Sequence, residues 1–63
     1  MSAALSHGDE GRDLVGAVRR IGDLGPVYGV VGVGVGGLVD IRLVESGTMA
    51  KYPASEVKRD PRP

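Results

Sequence analysis

Apolar side chains recur along this chain with two different periods, and the change from one to the other divides it. From Asp9 to Ile21, the residues Leu14, Val18 and Ile21 fall at i, i+4 and i+7, with Ala17 on the same side and Val15 at its border. That spacing predicts an amphipathic helix. Arg12, Asp13, Arg19 and Arg20 fall mostly on the opposite side. The acidic Asp9, Glu10 and Asp13 in the early turns and the arginine pair near the end suit the helix dipole. Gly22 stands where a left-handed C-cap residue is expected, with Leu24 to supply the accompanying apolar contact. Gly16 weakens the interior by roughly 1 kcal/mol relative to alanine, so the helix is expected to need docking for its stability.

Beyond the Gly25-Pro26 break the pattern changes to alternation. Val27, Val31, Val33 and Val35 are expected on one face of an extended strand, with Tyr28 and Val30 on the other. Glycines at Gly34, Gly36 and Gly37 place a hairpin turn within residues 32–37, since glycine accepts positive φ at little cost. From Leu38 to Glu45, the residues Val39, Ile41 and Leu43 point one way while Asp40 and Arg42 point the other. Ser46-Gly47 reads as a second turn and 48–52 as a third strand. Residues 53–58 can form one short helical turn, with Pro53 tolerated at its start. The predicted fold is α+β: an N-terminal helix packed on a small three-stranded antiparallel meander, with a partly open SH3-like barrel as the form its closure would take. Residues 1–8 are expected to be a disordered leader, 9–58 a single domain, and 59–63 an extended tail.

Composition limits what such a fold can do. The chain has 63 residues, no Cys, no Trp and no Phe. Disulfides and thiolate metal sites are therefore excluded, and the core has to be built from small aliphatic side chains and the two tyrosines. A core this thin favours a partner chain or self-association. Basic and acidic residues balance at eight each and are interspersed, which disfavours a phosphate-backbone binder because such affinity comes largely from accumulated positive charge. The N-terminus lacks the basic and apolar regions of a signal peptide. The uncharged run from Pro26 to Val39 is shorter and more glycine-rich than a membrane span, which needs about 20 mainly apolar residues. A soluble cytoplasmic protein is expected.

One motif resembles chemistry. Gly32, Gly34 and Gly37 spell G-x-G-x-x-G after a strand. A dinucleotide loop must open a helix, whose N-terminus meets the phosphates. Here the next segment alternates as a strand, so the glycines read as a hairpin and no cofactor is expected. His7 is the only histidine and sits in the leader beside Ser6. On an expected disordered leader it is not expected to be positioned for nucleophilic catalysis or for more than weak cation binding. Neither a catalytic set nor a metal site is expected, and the chain is read as a non-enzyme.

The candidate partner-binding residues are Arg19, Arg20, Tyr28, Asp40, Arg42, Glu45, Tyr52 and Arg59. Asp40, Arg42 and Glu45 lie on or near the exposed face of a strand, where the plainer role is a solvated face with weak cross-strand pairs. Arg19 and Arg20 are also ordinary helix-end charges. The tyrosines could anchor an interface or stack on bases, against the plainer role of core packing. The 58–63 tail could dock in a groove as a polyproline-like segment.

Arg19-Arg20-Ile21-Gly22, Gly25-Pro26-Val27-Tyr28, Val39-x-Ile41-x-Leu43-x-Glu45-Ser46-Gly47, Tyr52-Pro53 and Asp60-Pro61 occur in that order. The pattern resembles a small bacterial family of unknown function, over roughly residues 12–61. The chain departs from it in carrying Val-Gly repeats where a polar inter-strand loop is expected. The resemblance implies one compact domain and a bacterial or phage origin, and it implies no activity. The expected function is a protein-binding module, an antitoxin-like or accessory small subunit of a larger bacterial protein. A small nucleic-acid-binding β-barrel and a self-assembling structural protein are the alternatives.

Overall fold

The structure, a computed structural model, describes residues 11–63. Four antiparallel strands form one sheet in sequence order: β1 (Val18–Arg20), β2 (Val27–Val33), β3 (Leu38–Leu43) and β4 (Met49–Pro53). A 3-10 turn at Arg12–Leu14 precedes them and a six-residue helix, α1 (Ala54–Arg59), follows. The expectation of an N-terminal helix on a three-stranded meander is therefore overturned. The helix lies at the other end of the chain, and the sheet has a fourth strand where part of the helix was expected.

The reason lies in Gly16 and the residues around it. Gly16 has φ 96°, a left-handed conformation that ends any right-handed helix at that point. Its N–H donates to the Val30 carbonyl (2.9 Å), and the Val30 N–H donates to the Ala17 carbonyl (3.0 Å). Residues 17–21 satisfy a helical spacing and also an alternating one. The β-branched Val18 and Ile21 favour the extended form once β2 is there to pair with. Residues 9 and 10 of the expected helix, the 1–8 leader and His7 lie outside the described residues.

The faces of β2 also differ from expectation. Val30 pairs with Ile41 but Gly32 pairs with Asp40, so Val31 is an extra residue in a β-bulge. Tyr28 and Val30 face the core before the bulge and Val33, paired with Val39, does so after it, while Val31 is left half exposed. Val27, Val31, Val33 and Val35 thus do not share a face. The β2–β3 turn falls at Val35–Leu38 as the glycines require, with Gly36 and Gly37 at φ 65° and 79°. A strand follows this turn, so the G-x-G-x-x-G glycines belong to a hairpin.

Tyr28, Val30, Val39, Ile41, Ala54 and Val57 form the buried core, with Leu14, Ala17, Ile21, Leu43 and Tyr52 packed against it. The helix α1 lays Ala54 and Val57 across one sheet face, three residues apart and so on one side of the helix. It starts after Pro53, carries Glu56 in its first turn and Lys58 and Arg59 in its last, and stops before Pro61. The opposite sheet face has no layer over it among the described residues. By register it carries Val18 and Arg20 from β1, Val27 and Gly29 from β2, Asp40 and Arg42 from β3, and Met49 and Lys51 from β4. No helix among the described residues is long and apolar enough to cross a membrane.

Candidate functional site

The sheet has two edges, and they are finished differently. In an antiparallel ladder, alternate residues turn their backbone N–H and C=O outward. On β1 the bonds of Ala17 and Ile21 run to β2, which turns Val18 and Arg20 to the edge. There the Arg20 N–H donates to the Pro61 carbonyl (2.9 Å) and the Val18 carbonyl accepts from Arg19 Nη1 (2.9 Å). This edge is covered by the C-terminal segment and by its own side chain.

The cover is fixed by Asp60. Its Oδ2 accepts from the hydroxyls of Tyr28 and Tyr52, both at 2.7 Å, and its Oδ1 accepts from the Gly22 N–H at 3.3 Å. One carboxylate thus joins β2, β4, the β1–β2 turn and the end of α1. The tyrosine rings lie 5.2 Å apart at 58°, a tilted packing that brings both hydroxyls to one point. Burial alone works to raise the Asp60 pKa, but the hydrogen bonds from Tyr28, Tyr52 and Gly22 outweigh it and hold the carboxyl below its ordinary value. Burial, then the bond to this carboxylate and its charge, push the Tyr52 hydroxyl up to about 12 and the Tyr28 hydroxyl further still.

Among the described residues, no segment pairs with the outer edge of β4. Leu43 bonds to the Thr48 carbonyl and Ala54 to the Gly37 carbonyl, which sets the ladder's parity. Residues 48, 50, 52 and 54 therefore face β3, and Met49, Lys51 and Pro53 face outward. Met49, Ala50 and Lys51 are exposed side by side, and a shallow depression lined by Asp40, Met49, Ala50 and Lys51 lies along them. Pro53 has no N–H, so the donors that this edge offers from β4 are those of Met49 and Lys51.

The residues expected to bind a partner separate into distinct places. Tyr28 is fully buried and Tyr52 half-buried, both committed to Asp60. Lys51 Nζ bonds Asp40 Oδ1 at 2.6 Å on the open face beside the β4 edge. Arg42 lies on that face one register step away, opposite Met49. Arg20 Nη1 donates to the Gly25 carbonyl at 3.1 Å and, with Glu45, lines a second groove at the other end of the face. Arg19 shares the core side with Tyr28, and Arg59 pairs with Glu56 at 3.5 Å on α1. The cations are thus spread over several surfaces. The segment expected as a tail is extended from Asp60, but Asp60 and Pro61 are bonded into the fold. Asp60 was not among the candidate residues. Its signal lay in the Asp-Pro pair after the only two tyrosines, because a carboxylate is the acceptor that two converging hydroxyls need. No group of three or more metal-ligating side chains occurs among the described residues.

The sequence pattern of DUF5397, a family of unknown function, matches residues 4–63, and the chain belongs to that family. No curated protein and no solved structure matches it.

Proposed function

We propose that this member of the family is a non-enzymatic protein-binding module, a small accessory or antitoxin-like subunit acting in the cytoplasm on a larger bacterial protein. The observation that supports this reading is the outer edge of β4, which no strand among the described residues pairs with. An extended segment of a partner can add to such an edge as a fifth strand, gaining main-chain hydrogen bonds from Met49 and Lys51. Side chains of the added strand that face the open side would lie beside Met49 and Lys51, and those on the other side beside Ala50. Pro53 limits the pairing to a short stretch, which suits a partner that adds contacts elsewhere.

Affinity capture from the native host with the full chain, followed by mass spectrometry, tests this reading, with Lys51→Pro as the control. Proline at 51 removes an outward N–H and leaves the bonds to β3 intact, because Lys51 sits at a non-bonded position of that pair. The expected result is a specific larger protein captured by the native chain and lost with Lys51→Pro. Capture of no partner, or of one that Lys51→Pro retains, refutes the proposal.

A further inference from the structure

At the far end of the open face from the β4 edge, a groove of about 560 Å³ runs between the β1–β2 turn and the end of β3. Leu24, Pro26, Val27 and Val44 supply its apolar lining, and Arg20 and Glu45 its charged lining. Register explains the arrangement. Arg20 pairs with Val27, and the Val44 N–H donates to the Val27 carbonyl, so these residues form one row on the open face. Leu24 projects from the turn beside them and is 96% exposed, while Val44 is 64% exposed. Leu24, Pro26, Val27 and Val44 together form a contiguous apolar patch, the kind of surface that marks an interaction site.

We propose that this groove is a self-association site, in which Leu24 of each copy seats in the groove of the other about a two-fold axis. Two features favour a second copy over a foreign partner. First, projection and recess lie in the same patch, which a two-fold contact requires because each copy must supply both. Second, the lining carries one cation and one anion, Arg20 and Glu45, that form no salt bridge with each other. A partner of one charge sign would meet a like charge there. A second copy turned by the two-fold brings its Glu45 to Arg20 and its Arg20 to Glu45. Arg20 has donors to spare, since only Nη1 is used on Gly25. The chain's formal net charge is zero, so two copies approach without overall repulsion.

The surface is separate from the β4 edge, so its test is independent of the proposed function. Sedimentation equilibrium of the full chain from about 10 µM to about 1 mM covers weak self-association in the micromolar-to-millimolar range. The mass is expected to rise from that of one 6.5 kDa chain to that of two. Leu24→Glu is expected to weaken association at least tenfold and Leu24→Met to retain it. Glu45→Lys is expected to weaken it several-fold, and added salt to weaken the native dimer through the same pairs. Because Leu24 is almost wholly exposed, Leu24→Glu should leave the dilute protein's melting curve unchanged, which separates lost association from lost folding. A native chain that stays single at the highest concentration overturns the proposal. So does a dimer that Leu24→Glu leaves intact, and such a dimer dispersed by Lys51→Pro would assign the contact to β4 instead.

Discussion

The two edges of this sheet present similar backbone chemistry and opposite exposure. At β1 the outward N–H of Arg20 and carbonyl of Val18 are both satisfied within the chain, by Pro61 and by Arg19. At β4 the outward groups of Met49 and Lys51 meet no strand among the described residues, and their side chains are exposed. The β1 edge is only three residues long and is strapped by a segment fixed through one carboxylate. Small sheets commonly protect their edges with covering segments, charge or proline. Here β1 has the cover, whereas β4 has, among the described residues, only Lys51 near its middle and Pro53 at its end. The difference teaches that the C-terminal segment is a structural part of the sheet, committed to the β1 edge.

The strongest way to break this contrast is to remove the strap's anchor. Asp60→Ala leaves the Tyr28 and Tyr52 hydroxyls without their acceptor, and hydrogen bonds to a charged group are worth about 1.5–3 kcal/mol each when lost. Asp60 is partly exposed, and water can replace some of what is lost. A net destabilisation of about 2–4 kcal/mol is expected on that basis, a large share of what a chain of this length has in total. Thermal melting should fall by at least about 10 °C. Hydrogen exchange at the Arg20 amide should accelerate more than at amides of the β3–β4 ladder. A melting point unchanged within a degree or two would mean that the strap contributes nothing.

The same anchor gives the protein two pH limits. The folded Asp60 pKa lies below the unfolded value of about 3.9, so its stabilisation is complete above that value and is lost as pH falls through the folded pKa. The tyrosine values move the other way. Their folded pKa values are raised above about 10, so this contribution is complete below pH 10 and is lost as pH rises through about 12 for Tyr52 and higher for Tyr28. Melting temperatures of the native chain and Asp60→Asn are therefore expected to converge as pH drops below about 4. Tyrosinate absorbance should rise in the native chain only well above pH 10. A tyrosinate wave centred near 10 in the folded protein would contradict the paired hydroxyls. Tyr52→Phe removes one of the two bonds and leaves the ring packing, so it should cost about 1–2 kcal/mol, less than Asp60→Ala.

What could be read in advance divides along the same line. The β3 alternation of Val39, Ile41 and Leu43, the glycine turn before it and the Ser46-Gly47 turn after it were legible, because local pattern and turn chemistry agree there. So was the short helix after Pro53. The N-terminal half was misread because Leu14, Val18 and Ile21 match a helical period, and only pairing with β2 decides against it. The bulge at Val31 was equally hidden, since a run of valines and glycines fits either face until the partner strand fixes the register. Asp60 escaped notice because its role depends on Gly22, Tyr28 and Tyr52, which are 38, 32 and 8 residues away along the chain. The difference between the two edges was not legible either, since strand order had to be known first.

The smallest expected effect on stability sharpens the contrast most. Lys51→Pro at the outer β4 edge removes an N–H that bonds to no strand among the described residues, and it breaks the exposed pair with Asp40. Such pairs contribute about 0–1 kcal/mol, so the melting point should move by a few degrees at most. At the covered edge, Arg20→Pro removes an N–H that does have a partner, the Pro61 carbonyl, along with the side-chain bond to Gly25. It should cost clearly more, by roughly 1–3 kcal/mol, because a satisfied donor is lost and the strap loosens with it. Comparing the two prolines by chemical denaturation asks whether the edges differ in energy as they do in geometry. If Lys51→Pro proves as damaging as Arg20→Pro, β4 is not an idle edge in the isolated chain, and the reason for assigning it a partner's strand disappears.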